Sequence, residues 1–131
     1  MSALDTQVGG GHYRNKAIQP VQFSMANGLD ACAHSVVKYV TRHREKNGRQ
    51  DLEKAIHFID LRLQLAPPAV RQEPWVICPE DYCRLNKLAV LETAVIIGLG
   101  LWTTTGGAHF ATEMKEVISQ IISANYDSTG E

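Results

Sequence analysis

Basic side chains recur at intervals of four residues between positions 34 and 46 of the chain. They are His34, Lys38, Arg42 and Lys46. On an α-helix this spacing places the four side chains along one slowly drifting line. Arginine offers a planar fork of N–H donors that fits two phosphate oxygens, and lysine adds a movable point charge. Basic side chains in this arrangement can bind a phosphate group, and the same arrangement is also typical of a helix face exposed to solvent.

Further cations lie close to this line in the sequence. Arg44 and Arg49 stand on either side of the Asn47-Gly48 pair, and Lys54 follows in the next predicted helix. Acidic residues balance only half of the basic charge between residues 38 and 54; they are Glu45, Asp51 and Glu53. On spacing alone, a solvated face with salt bridges is favoured over a phosphate site, and composition does not decide between the two.

The overall composition limits the classes of protein that fit the chain. A net charge of −1 over 131 residues disfavours a general nucleic-acid-binding domain, which would carry a basic excess. Three cysteines without a CxxC pair indicate neither a disulfide framework nor a zinc site, and they favour a reducing, cytoplasmic compartment. The most apolar run, residues 88–102, contains Glu92 and is too short to span a bilayer comfortably. We therefore predict one domain with no signal peptide and no membrane partner.

A magnesium-carboxylate hydrolase is also disfavoured. One ExxE pair, Glu113 and Glu116, resembles the carboxylates with which all-α nucleotide pyrophosphohydrolases hold magnesium. Those enzymes need a second acidic pair on a later helix, and too little sequence follows to supply it. We therefore interpret the pair as part of a solvated face, predict no metal site and assign no catalytic residue.

Apolar periodicity predicts an all-α fold, a small helical bundle. A short helix spans 19–26, and Asp30 caps a second helix that runs to residue 46. Gly48 ends that helix, and Asp51 caps a third helix that runs to residue 65. Apolar stripes on the second and third helices predict a central antiparallel hairpin. The stripes consist of Ala33, Val36, Val37 and Val40 and of Leu52, Ile56, Ile59 and Leu63.

The C-terminal half is predicted to form a helical pair. A strongly apolar helix spans 80–102, a loop spans 103–107, and an amphipathic helix with Phe110 and Ile121 on its apolar side follows. The predicted division is a flexible leader at 1–11, a helical module at 12–66, a proline-rich connector at 67–79 and the pair at 80–131. The pair packs on the same core or on another subunit. Because its apolar surface exceeds what a small core needs, we expect a homo-oligomer.

Five short elements between residues 12 and 62 occur in an order that is typical of one known family. They are His12-Tyr13, Ile18-Gln19-Pro20, Lys38-Tyr39 with Arg42, Lys46 with Gly48, and Asp51-Leu52 with Lys54-Ala55 and Phe58. In this order they resemble the SaV-like bacteriophage family, a domain of unknown function that includes a nucleotide kinase of a T-odd coliphage. The chain departs from the family where His34-Ser35 replaces a Gly-Asn pair. The larger His34 alters or removes a ligand site there, or adds a contact to it.

The resemblance implies a phosphate or nucleotide site. Lys38, Arg42 and Lys46 would grip phosphate with Lys54 nearby, and His12 and Tyr13 would close over the ligand, with Tyr13 stacked on a base. The candidate ligand-binding residues are His12, Tyr13, His34, Lys38, Arg42, Lys46, Arg49 and Lys54.

Three functions are consistent with this site. The first is a phage nucleotide-binding protein, similar to a deoxynucleoside monophosphate kinase, that would bind magnesium with its nucleotide. The second is a non-catalytic anti-defence protein that sequesters a nucleotide signal, and the third is a protein that binds and inhibits a host protein. Single-stranded nucleic acid is less favoured, because few aromatic side chains lie near the cations. The expected location is the cytoplasm of the infected bacterial host.

Overall fold

A computed structural model describes Ala3, residues 16–65 and residues 70–127 of the chain. Within these ranges it contains six α-helices and no β-strand. The helices are α1 (Pro20–Asn27), α2 (Ala31–Arg42), α3 (Arg49–Leu65), α4 (Pro79–Leu85), α5 (Val90–Thr105) and α6 (His109–Asn125), and a 3-10 segment (His43–Glu45) follows α2. The predicted all-α class is confirmed, as a small helical bundle.

Helices α2 and α3 form the predicted antiparallel hairpin. Asp30 caps α2, as expected, by accepting a hydrogen bond from the backbone N–H of Ala33 at 2.8 Å. Its other carboxylate oxygen accepts a hydrogen bond from Nε of Arg62 at 2.8 Å. The start of α2 therefore lies beside the end of α3. Apolar side chains of both helices are fully buried in the shared core; they are Ala33, Val36, Val37, Val40, Leu52, Ala55 and Ile59.

The connection between α2 and α3 begins earlier in the chain than the sequence predicts. The α-helix ends at Arg42, not near residue 46, and Lys46 has left helical geometry with φ −137° and ψ −96°. Gly48 adopts a φ of 56°, a left-handed conformation that glycine reaches without a steric penalty. Because α3 begins at Arg49, Asp51 lies inside its first turn. The prediction that Asp51 caps this helix is wrong.

The segment predicted as one helix over 80–102 consists of two helices, α4 and α5. The backbone N–H of Leu88 donates to the carbonyl of Cys83 at 3.0 Å, and Lys87 adopts a left-handed φ of 56°. This is the geometry with which helices commonly end, although glycine is the usual residue at the left-handed position. The side chain of Asn86 then bonds both the N–H and the carbonyl of Ile18. A long-range contact therefore holds the break in place.

The end of α5 also differs from the prediction. The helix continues through Thr105, so the predicted loop over 103–107 is wrong for its first three residues. Gly106, with a φ of 75°, ends the helix instead. Helix α6 then packs on α5 as the predicted C-terminal pair, and it also packs on α3, where Lys115 pairs with Asp60 at 2.7 Å.

The part of the proline-rich connector that the structure describes runs along the end of α1. The amide oxygen of Asn27 accepts hydrogen bonds from the backbone N–H groups of Val76 and Ile77, and its amide nitrogen donates to the Ile77 carbonyl. Arg71 donates to the carbonyl of Asn27 at 2.6 Å, and its guanidinium lies 3.7 Å from the centre of the Trp75 ring. These contacts attach the connector to the first helix.

No helix in the described part of the chain is long and apolar enough to cross a membrane. Several apolar side chains are nevertheless exposed, among them Met25, Val76 and Val90 at 78%, 73% and 83% of their full area. The predicted homo-oligomer and the predicted division of the chain stay predictions.

Candidate functional site

Three of the predicted phosphate ligands surround the half-buried ring of Tyr39. The Lys38 and Lys54 ammonium nitrogens lie 4.7 and 5.5 Å from the ring centre, and the Arg42 guanidinium carbon lies 4.9 Å from it. The ring of Phe58 stacks beside Tyr39 with centres 6.0 Å apart and planes inclined by 22°. These five side chains form what we call the Tyr39 cluster. The hairpin creates it by placing residues of α2 against residues of α3.

Arg42 is the most buried member of the cluster and is already engaged. Its Nε and Nη2 donate to the two carboxylate oxygens of Asp51 at 3.2 and 3.3 Å. The Arg42 side chain is 10% exposed and that of Asp51 is 0% exposed. Asp51 Oδ2 also accepts a hydrogen bond from the backbone N–H of Asn47 at 3.3 Å. Arg42 and Asp51 therefore form a buried ion pair that closes the hairpin turn.

The two lysines of the cluster are in a different position. Both side chains are half-buried, and in residues 16–65 and 70–127 no carboxylate oxygen lies within 4.0 Å of either ammonium group. Neither lysine therefore forms an ion pair within the described part of the protein. Two ammonium groups without an ion-pair partner there, beside an aromatic pair, are suited to bind an anion.

Lys38 also lines a cavity of about 200 Å³ together with His34, Gln19, Pro20 and Val21. Nδ1 of His34 is hydrogen-bonded to the hydroxyl of Ser24 at 2.7 Å. Burial, and then the charge of Lys38, lowers the pKa of His34 below its ordinary value of 6.5. His34 therefore lies next to the cluster as a neutral hydrogen-bonding group near pH 7 and adds no positive charge to it.

The remaining predicted ligands are placed elsewhere. Lys46 is exposed after the 3-10 segment, and Arg49 is exposed and forms ion pairs with Glu53, at 3.0 Å, and with Asp127. Neither has a recorded contact with the Tyr39 cluster. His12 and Tyr13 lie outside the described residues. In the part of the chain that the structure covers, no group of three or more His, Cys, Asp or Glu side chains is arranged to hold a metal ion.

A buried polar network that the sequence analysis missed lies beyond the hairpin turn. Nε2 of His43 is 2.6 Å from Glu92 Oε2, and its Nδ1 is 2.7 Å from the hydroxyl of Tyr126. Arg44 reaches the same Glu92 oxygen from Nε at 3.0 Å and from Nη2 at 2.7 Å. A neutral His43 that donates from Nε2 to Glu92 accepts the Tyr126 hydroxyl at Nδ1. One acidic residue within a long apolar run was the only signal of this network in the sequence.

The charge state of Glu92 follows from these contacts. Burial raises the pKa of the carboxyl, but the hydrogen bond from His43, a backbone hydrogen bond and the positive charge of Arg44 together outweigh burial. The pKa of Glu92 is therefore lowered from its ordinary value of 4.5, and the group is ionised at neutral pH. Its other oxygen, Oε1, is buried and accepts no hydrogen bond from residues 16–65 and 70–127.

Comparison with known proteins gives a single partial match. Residues 9–60 match the sequence model of a family described as a protein of unknown function, DUF3310. No curated protein and no solved structure matches the chain. The description of the family names neither a phage origin nor an activity. The matched range includes every predicted ligand residue and the whole Tyr39 cluster. Residues 9–60, which include α1, α2 and most of α3, are thus similar to a DUF3310 domain of unknown function.

Proposed function

We propose that the chain binds the phosphate group of a small nucleotide at the Tyr39 cluster. The observation that supports this function is the pair of ammonium groups on the half-buried residues Lys38 and Lys54, which have no carboxylate partner in the described part of the chain. They belong to two helices of a hairpin that a buried ion pair and a shared core hold together. The site is therefore preorganised, and ligand binding does not have to order it.

The electrostatics favour an anion. Both ammonium nitrogens lie near the centre of the Tyr39 ring, so they are no more than about 10 Å apart. At that distance their repulsion is about 0.4 kcal/mol in water and about 1.7 kcal/mol at an effective dielectric constant of 20. A phosphate dianion between them adds two attractions that exceed this repulsion. Asp51 does not compete for the lysines, because it is occupied by Arg42.

The aromatic pair favours a nucleotide over inorganic phosphate. The Lys38 and Lys54 ammonium groups lie over the Tyr39 ring, which stacks beside Phe58, and aromatic side chains are common platforms for nucleobases. The cavity at His34 and Lys38 adds about 200 Å³ next to the cationic surface. A base in this cavity and a phosphate at the lysines would use both features.

A thermal-shift panel of mono-, di-, tri- and cyclic nucleotides, with and without magnesium, tests the proposal. A ligand at one hundred times its Kd stabilises the protein by about 2.7 kcal/mol. We expect Lys38→Met and Lys54→Met each to weaken binding by about 10-fold to 100-fold, since a charged hydrogen bond contributes about 1.5–3 kcal/mol. Lys46→Met is the matched control, because it removes the same charge outside the cluster. A panel without any shift, or equal losses in all three variants, would refute the site.

The fate of the bound nucleotide then separates the finer functions. Conversion of a nucleoside triphosphate and a deoxynucleoside monophosphate into two diphosphates would identify a kinase. Quantitative recovery of unchanged ligand after denaturation would identify a protein that sequesters a nucleotide, the anti-defence function. Capture of a host protein by a chain that binds no nucleotide would identify the inhibitor. The experiment uses the full chain in every case.

A further inference from the structure

Helix α5 is apolar on every side, including the side that faces solvent. Among its 16 residues only Glu92 is charged, and Glu92 is buried. A helix at the surface of a protein normally carries charged and polar residues on its outer face. On the outer face of α5, in contrast, Val90 and Leu101 are 83% and 43% exposed, and Ala94 is exposed between them. This face therefore has the composition of one that another surface covers.

The apolar residues of this outer face have the spacing of a helix that pairs with another helix. Val90, Ala94, Ile97 and Leu101 are separated by four, three and four residues. Side chains at this spacing form a single line, as they do where two helices pack at a crossing angle of about 20°. We call these four residues the α5 seam. From end to end it is about 17 Å long, since a helix rises about 1.5 Å per residue.

Helix α4 borders the α5 seam and runs antiparallel to α5. At the start of α4, the Pro79 ring lies 2.9 Å from the position that a Cβ on Gly100 would take. Near the end of α4, the Cys83 side chain is hydrogen-bonded to that of Thr93. Residues 79 and 83 of α4 are therefore level with residues 100 and 93 of α5.

The border that α4 forms carries two exposed side chains of opposite charge. Glu80 lines a groove of about 200 Å³ together with Ile97 and Leu101 of the seam. Arg84 follows four residues later, on the same face of α4, and its side chain is 69% exposed. Its ion pair with Asp81, at 3.0 Å, is exposed and so contributes little to stability. The seam is thus apolar along its centre, with a negative and a positive group at different heights on one border.

We propose that the α5 seam packs against the α5 seam of a second copy of this chain, with the two helices antiparallel. When Leu101 lies opposite Val90 of the second copy, Ile97 lies opposite Ala94 of the second copy. Both contacts then occur twice, because a two-fold axis relates the copies. The seam therefore complements itself in this register, and each isoleucine has a small residue opposite it.

The charges on the α4 border favour this antiparallel register. In it, Gly100 faces Leu91 of the second copy, so the start of α4 in one copy is level with the end of α4 in the other. Glu80 therefore comes to the height of Arg84 of the second copy, and the symmetry forms this pair of opposite charges twice. Complementary charges at the border of an interface fix its register.

The size of the surface predicts a dimer that dissociates on dilution. A stable interface buries about 800 Å² on each partner, and a seam about 17 Å long on a helix about 10 Å wide is smaller than that. The α5 seam is also separate from the Tyr39 cluster, which lies on α2 and α3. The inference therefore does not rest on the proposed function.

Sedimentation velocity of the full chain over a range of concentrations tests the proposal. The parent chain should change from monomer to dimer as its concentration rises. Ala94→Lys should sediment as a monomer throughout, because dimerisation would bury its ammonium group against apolar side chains. Since Ala94 is exposed, the circular dichroism of this variant should match that of the parent chain.

Thr112→Lys is the matched control, because it adds the same charge at an exposed position that points away from α5. Thr112 lies two residues before Met114, which packs on α5 at Gly98, and side chains two residues apart on a helix differ by about 200°. This variant should dimerise like the parent chain. A parent chain that is monomeric at every concentration, or an Ala94→Lys variant that still dimerises, would overturn the proposal.

Charge reversal tests the antiparallel register separately. Glu80→Lys and Arg84→Glu each place like charges opposite each other in the dimer and should weaken it about tenfold. The double variant Glu80→Lys with Arg84→Glu restores opposite charges across the interface and should dimerise more tightly than either single variant. A double variant that is no tighter than the single variants would refute the antiparallel pairing.

Discussion

The buried pair of Arg42 and Asp51 determines which substitutions can report on function. Arg42→Met leaves a fully buried carboxylate with the Asn47 N–H as its remaining described donor, and Asp51→Asn removes the carboxylate that pairs with the buried Arg42 guanidinium. Removing one partner of a buried ion pair costs about 3–5 kcal/mol, because the other charge stays desolvated. We expect each single variant to be destabilised by this amount.

The expected change is large relative to the stability of the fold. An unfolding entropy of about 2.1 cal/mol/K per residue gives about 0.28 kcal/mol/K for 131 residues, so that 3–5 kcal/mol lowers Tm by about 11–18 °C. The double variant Arg42→Met with Asp51→Asn removes both charges of this pair. It should be more stable than either single variant, and the asparagine oxygen still accepts the N–H of Asn47.

Urea unfolding followed by circular dichroism measures all four chains of this double-mutant cycle. Arg49→Met is the matched control, since it removes an exposed arginine of the same hairpin, and the loss of its exposed ion pairs should shift the unfolding midpoint far less than Arg42→Met does. Strict additivity of the two single changes, or a loss below about 1 kcal/mol for Arg42→Met, would refute the buried pair. If Arg42 and Asp51 form this buried pair, a loss of nucleotide binding in an Arg42 variant results from unfolding of the protein. The Lys38→Met and Lys54→Met variants are then the ones that test nucleotide binding.

Three further predictions concern other parts of the fold. Gly48→Ala should lower the unfolding free energy in urea more than Gly28→Ala. Both glycines have a φ near 60°, but of the two only Gly48 would bring an added Cβ against the Tyr126 ring, at 3.1 Å. Equal losses would contradict this contact. Because the folded pKa of Glu92 is lowered, its carboxylate stabilises the fold above pH 4.5, and this contribution is lost as the pH falls through the folded pKa. Glu92→Gln should therefore show a shallower loss of unfolding free energy over about pH 6 to 3 than the parent chain, and parallel curves would contradict it. Burial raises the pKa of Cys83 to about 11, so iodoacetamide at neutral pH should label it only as fast as the chain unfolds, and rapid labelling without unfolding would contradict its burial.

Local features of the hairpin were predictable from the sequence, because they depend on neighbouring residues. Asp30 precedes an apolar periodic segment and caps α2, and Asn47-Gly48 marks the turn where Gly48 adopts a left-handed conformation. The break between α4 and α5 was not predictable from periodicity, since apolar residues continue across it. It depends on Asn86, which bonds the backbone of Ile18 across 68 positions of the chain.

The sequence by itself determined the all-α class, the central hairpin and the concentration of cations on it, because spacing decides which side chains share a helix face. Only the tertiary structure decided how those cations are used. Arg42 is buried against Asp51, whereas Lys38 and Lys54 meet at Tyr39 without a carboxylate partner in the described residues. His43 and Glu92, 49 positions apart, meet in the core. Periodicity predicts the face that a helix buries, but the partner on the other side of the core depends on how distant helices pack.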